Sequence, residues 1–125
     1  KRQGVRIPLD VAKKVFLEAS LPRYAEKTRK AYPGIHNLPA DAQGAMLSLV
    51  YNRGTRKSGA SRREMKNLGA HIRSGDLEGM ADEFRAMKRL WDKDRLPGLH
   101  TRRDAEARLV ENADRDYGEA ELIRV

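Results

Sequence analysis

The chain has 125 residues and a mass of 14.2 kDa, the size of one domain, since domains cluster at about 100–150 residues. Hydrophobic residues make up 39% and charged residues 35%, against the roughly 25% charge usual in soluble proteins, so the core is lean and the surface heavily ionised. No apolar run approaches the roughly 20 residues of a membrane-spanning helix, and the absence of cysteine excludes a disulfide framework, a thiolate zinc site and a cysteine nucleophile. The net charge is +8 and is unevenly spread. Residues 1–31 carry nine basic and three acidic side chains, residues 32–52 only Asp41, and residues 53–73 seven basic and one acidic. Residues 74–125 carry ten basic and thirteen acidic ones. Two basic segments therefore flank a nearly uncharged one, a pattern that attracts polyanions such as nucleic acid, teichoic acid, acidic lipid or the carboxylate-bearing peptides of a cell wall. The chain starts at Lys1 and has no apolar signal core, so it reads as a piece excised from something longer.

Every strong periodic signal is helical. Pro8 suits a first turn, and Leu9, Ala12, Val15, Phe16 and Ala19 follow at helical spacing. Pro22 interrupts. A short helix with Tyr24, Thr28 and Tyr32 on one side follows and ends at Pro33-Gly34. The next element has a stripe of Ala42, Ala45, Met46, Leu49 and Val50, with Leu47 opposite and Asp41 as its only charge before Arg53. A helix apolar on nearly all sides is a buried one, so this is the expected centre. Gly44 permits close approach of a neighbour, and Gly54 can close the helix. Residues 55–60 form a basic loop. Ser61 and Glu64 have capping-box spacing ahead of Met65, Leu68 and Ile72. Asp76 can cap a helix striped by Leu77, Met80, Ala81, Phe84, Met87 and Trp91. After the break at Leu96-Pro97-Gly98, Thr101 and Asp104 repeat the capping spacing, and Ala105 and Leu109 line a last helix. Residues 112–125 are mostly polar, with Tyr117, Leu122 and Ile123 as weak anchors. No stretch alternates with period two. The expected fold is all-α, a compact bundle of five to seven short helices around a buried central one.

The chemistry these residues can carry is limited. His36, His71 and His100 are scattered, without metal-ligand spacing, and no glycine-rich nucleotide loop occurs, so neither metal nor cofactor is implied. Glycoside hydrolysis needs paired carboxyls, one kept protonated by an apolar setting. Here Asp76, Glu78, Asp82 and Glu83 read as helix-end residues favoured by the helix dipole. Glu64 and Asp104 read as capping partners, and Glu18 and Glu26 have basic neighbours. No acid stands out as having a raised pKa. Ser61-Arg-Arg-Glu-Met-Lys66 opens a basic helix that could meet phosphate, but the long preceding loop is poor geometry for a helix-turn-helix. Phe16 and Phe84 fall on core stripes. Tyr51 and Trp91 sit at helix ends beside breaks, where a ring can line a groove and stack on a sugar.

Two segments carry a resemblance. The run from Leu38 to Gly54, with Gln43-Gly-Ala-Met-Leu-Ser-Leu-Val-Tyr-Asn-Arg-Gly54, resembles the central helix of phage-type (T4-like) lysozymes. Gly98-Leu-His-Thr-Arg-Arg-Asp-Ala-Glu-Ala-Arg-Leu109 resembles the Gly-Leu-x-x-Arg-Arg-x-Ala-Glu-x-x-Leu helix near that family's C-terminus. Arg63-Glu64-Met65 and Met87 to Trp91 fall between them in the right order, and Gly4 to Pro8 with Ala12 and Phe16 resembles the entry into the inter-lobe helix. The resemblance implies that residues 1–111 are the helical C-terminal lobe of a peptidoglycan muramidase and that residues 112–125 are a polar C-terminal tail. The family's catalytic glutamate stands on a separate N-terminal lobe, whose Thr-Ile-Gly-Tyr-Gly-like hairpin is not found here, so that lobe is an implied partner in the same or another chain. By position, Arg102 matches an arginine that pairs with and orients this glutamate, a task suited to a bidentate guanidinium. Tyr51 and Asn52 match residues lining the cleft, and Trp91 an aromatic that supports its wall. Each also has a plainer role available: Arg102 facing solvent, Asn52 capping its helix, Trp91 in the core. The alternative to a muramidase part is a non-catalytic basic module that binds peptidoglycan, nucleic acid or a partner protein.

Overall fold

A computed structural model describes residues 4–15 and 21–124. In chain order these form strand β1 (Arg6–Pro8), helices α1 (Leu9–Val15), α2 (Leu21–Ala31), α3 (Ala40–Arg53), α4 (Arg63–Ser74), α5 (Leu77–Ala86) and α6 (Pro97–Glu111), and strand β2 (Leu122–Arg124). Single 3-10 turns occupy Ile35–Asn37, Ala60–Arg62, Met87–Leu90 and Glu119–Glu121. The expected all-α bundle is present, and α3 is its centre: every residue from Ala40 to Val50 is buried. Tyr32, Phe84, Met65, Leu68 and Met80 are among the fully buried side chains of the surrounding core. The expected places of Phe16, Glu18 and Ala19 lie outside the described residues.

Because α3 lies inside, each polar group on it needs a partner. Gln43 donates from Nε2 to the Leu38 carbonyl at 2.7 Å and accepts the Arg6 N–H on Oε1 at 3.0 Å, which holds β1 against the helix. Asp41 accepts from Arg115 Nε at 2.9 Å and Nη2 at 3.3 Å. The Tyr117 hydroxyl accepts the Asp41 N–H at 3.1 Å and donates to the Ala113 carbonyl at 2.6 Å. Residues 113–124 thus run back across the body, and β2 pairs antiparallel with β1, Ile7 opposite Ile123. A three-residue ladder is too short to show as alternation in sequence. Gly44 faces the start of α1: a Cβ there would lie 3.1 Å from Pro8 Cδ and 3.4 Å from Val11 Cγ1.

The helix ends partly follow expectation. The Asp76 carboxylate caps α5 as expected, through the Gly79 N–H at 2.9 Å, and Gly75, in the left-handed conformation (φ 70°), closes α4 just before it. Two expected capping boxes are corrected. Helix α4 starts at Arg63 with no side-chain cap, and Glu64 is instead buried and held by Arg89 Nε at 2.7 Å and Nη2 at 3.0 Å. Helix α6 starts four residues before Thr101, at Pro97, whose missing N–H suits a first turn. The Thr101 hydroxyl then donates to the Pro97 carbonyl at 3.1 Å, and Asp104 pairs with Lys88 at 2.8 Å. The inward stripe of α6 is corrected in part: Leu109 packs half-buried against the core as expected, but Ala105 is exposed, and the buried face is Arg103, Glu106, Ala107 and Val110.

Replacing Gly44 by valine forces Pro8 and Val11 off α3. We expect a loss of about 1–3 kcal/mol in urea unfolding, the usual cost of overpacking.

Candidate functional site

Helix α6 lies against the second half of α3, and the contact is polar at its heart. Arg103 is fully buried and Glu106 is only 3% exposed. The Ser48 hydroxyl donates to Glu106 Oε2 at 2.6 Å, and Arg103 Nη2 donates to the same oxygen at 3.0 Å. Arg103 Nη1 reaches Asn52 Oδ1 at 3.0 Å, and its Nε lies 2.6 Å from Glu106 Oε1 without an aligned hydrogen bond. The guanidinium also lies 5.9 Å from the centre of the Trp91 ring, which Arg53 approaches at 5.4 Å. The Trp91 carbonyl is in turn 2.8 Å from His100 Nε2. One buried cation therefore links α3, α6 and the segment after α5.

Burial pushes the Glu106 carboxyl up to about 7, against the pull of Arg103 and Ser48 toward ionisation. Burial likewise holds Arg103 below its ordinary value, with Glu106 opposing. The expectation that no acid here has a raised pKa is corrected by this residue. Its signal was present in the sequence, because Arg103, Glu106, Ala107 and Val110 share one helical face. Two opposite charges at that spacing can enter a core as a pair, where either alone cannot.

Beside this network is a groove of about 470 Å³ between the first turn of α1 and the first turns of α6. Asp10 and Val11 line one side, Thr101 and Arg102 the other, with Ser48 and Glu106 between them. Arg102 is exposed and has no ion-pair partner among the described residues. Of the residues singled out in sequence, Asn52 and Trp91 are brought together through Arg103, and Arg102 enters the adjoining groove. Tyr51, 38% exposed, ends α3 on another side, its ring edge-on to Tyr24 at 5.2 Å. The three histidines stay apart, and the described residues hold no cluster of His, Cys, Asp or Glu able to bind a metal. In the basic helix start, Arg62 turns inward and donates to the Arg53 carbonyl at 2.7 Å. No described helix is long and apolar enough to cross a membrane.

A family model described as phage lysozyme matches residues 3–106, from the entry into α1 to Glu106 itself. The chain belongs to the phage lysozyme family. No curated protein and no solved structure matches it. Membership makes peptidoglycan the substrate class and hydrolysis the reaction class that the groove has to be read against.

The buried carboxyl of this lysozyme-family chain predicts a pH effect. Glu106 binds its proton more tightly folded than unfolded, so its contribution to stability is complete below its ordinary value of 4.5 and is lost as pH rises through about 7. Carboxylates held low by arginine or lysine partners, such as Glu64 and Asp104, change stability at lower pH and do not mask this window. We expect the melting temperature to fall between pH 4.5 and 7, and Glu106→Gln to reduce that slope whatever it does to absolute stability.

Proposed function

We propose that this chain is the C-terminal lobe of a muramidase that hydrolyses the β-1,4 link between N-acetylmuramic acid and N-acetylglucosamine. The observation that carries this reading is Arg102, unpaired among the described residues, in a groove whose base is fixed by the Arg103–Glu106–Ser48 network, inside the segment that matches the lysozyme family. A guanidinium so placed can hold a carboxylate through two N–H bonds. The catalytic glutamate comes from a segment outside this chain, and Arg102 is its positioning residue. Asn52 offers amide chemistry to glycan or peptide and Trp91 an aromatic surface beside it, while Tyr51 supplies a separate aromatic surface on another side of α3. Glu106 is not assigned the acid's role, because both its oxygens face Ser48 and Arg103. General acid catalysis requires a carboxyl free to meet the glycosidic oxygen.

The test uses the polypeptide with any residues encoded upstream of Lys1 retained, acting on purified peptidoglycan, with new reducing ends counted. Cleavage is expected from that longer polypeptide and not from residues 1–125 alone. In it, Arg102→Ala should lower kcat about 10- to 100-fold, the scale of a misplaced catalytic group, with KM little changed. Loss of the cation also leaves the acid protonated to higher pH, so the alkaline limb of the kcat profile should move up. Unchanged kcat and an unmoved limb would remove Arg102 from the mechanism.

A further inference from the structure

The two basic segments of the sequence meet at one place on the surface. Lys27 and Lys30, from the end of α2, and Lys57, from the loop after α3, line a cleft of about 480 Å³ together with Ala31 and Thr55. Among the described residues no carboxylate lines it. Lys57 reaches over the Tyr32 ring at 4.4 Å and donates to the Ala31 carbonyl at the C-terminal end of α2. Burial, and then the charge of Arg73, hold its ammonium below the ordinary lysine value. Glu26, engaged chiefly by Arg29, also pairs with Lys30 at 4.0 Å.

The donor set discriminates between anions. Planar carboxylates are best met by the fork of an arginine, whereas three separate ammonium groups and a hydroxyl suit tetrahedral oxygens approached from several directions. Lys27 Nζ is 5.1 Å from the Tyr24 ring, and that ring is 5.2 Å from Tyr51.

We propose that this lysine cleft binds a phosphate group of an anionic polyol-phosphate polymer carried by the cell wall, anchoring the lobe while the groove engages glycan. The choice of a wall polymer over nucleic acid rests on the muramidase reading; the phosphate chemistry rests on the cleft alone.

The experiment measures binding of a purified glycerol-phosphate oligomer, with inorganic phosphate as competitor and duplex DNA as a parallel ligand. The chain is compared with Lys27→Gln/Lys30→Gln, both exposed positions, and with Lys66→Gln/Lys93→Gln, which removes equal charge elsewhere. Exposed ion pairs of this kind predict about a five- to tenfold weaker oligomer affinity in the cleft variant and under twofold in the control. Phosphate should compete with the oligomer on the unaltered chain. Equal losses in both variants would reduce the effect to net charge and overturn the proposal, as would DNA binding that depends on the cleft while the oligomer does not bind. Circular dichroism verifies that both variants fold. Cleavage of polymer-free peptidoglycan by the longer polypeptide should be the same with and without the cleft lysines, so failure here is separable from failure of the muramidase reading.

Discussion

The buried pair of Arg103 and Glu106 is the constraint from which the site's geometry follows. A guanidinium inside a small core persists only while oxygen acceptors face it, and leaving such a buried charge without a partner typically costs about 3–5 kcal/mol. Helix α6 therefore cannot turn or slide against α3 without breaking the hydrogen bonds from Ser48 to Glu106 and from Arg103 to Asn52 that tie the pair to α3. Neighbouring residues on a helix point about 100° apart, since each turn takes 3.6 residues. Burying Arg103 under Trp91 and against Asn52 thus sends Arg102 outward into the groove. The same pair places Ser48 and Glu106 at the groove's base, so one interaction sets both the wall and the loose cation beside it.

Much of the fold was legible because its centre is chemically distinct. A run from Leu38 to Asn52 with Asp41 as its only charge has few choices in water, and the structure buries it. The single charge and the lone glutamine on that run became the points where distant segments attach, Arg115 to Asp41 and Arg6 to Gln43. Gly44 marked the close approach of α1. The short β-ladder was not legible, because three residues carry no period and pairing across the length of the chain leaves no local trace.

The site was legible in part, for a physical reason. Apolar periodicity finds the inward face of a helix only when that face is apolar. On α6 the inward face includes an arginine and a glutamate, so the stripe was placed on Ala105 and Leu109, and the capping spacing at Thr101 and Asp104 coincided with a helix already under way. Asn52 and Trp91 were located from helix ends and resemblance, yet what joins them is Arg103, which no stripe rule selects. Glu64 repeats the lesson, since a residue with capping spacing was taken into the core by Arg89. Charge distribution was the more reliable guide: two basic segments separated by twenty-one residues in sequence fold against each other at the lysine cleft.

The central claim is that the proposed lobe presents a glycan-binding wall ending at Arg102, an arginine unpaired among the described residues. Its most direct test is amide chemical-shift mapping of the chain titrated with a peptide-free oligomer of alternating N-acetylglucosamine and N-acetylmuramic acid. The account predicts saturable shifts centred on Asn52, Trp91, Thr101 and Arg102, spreading to Tyr51. Saturation with the largest shifts on the outer faces of α4 and α5, and none at these residues, would contradict it.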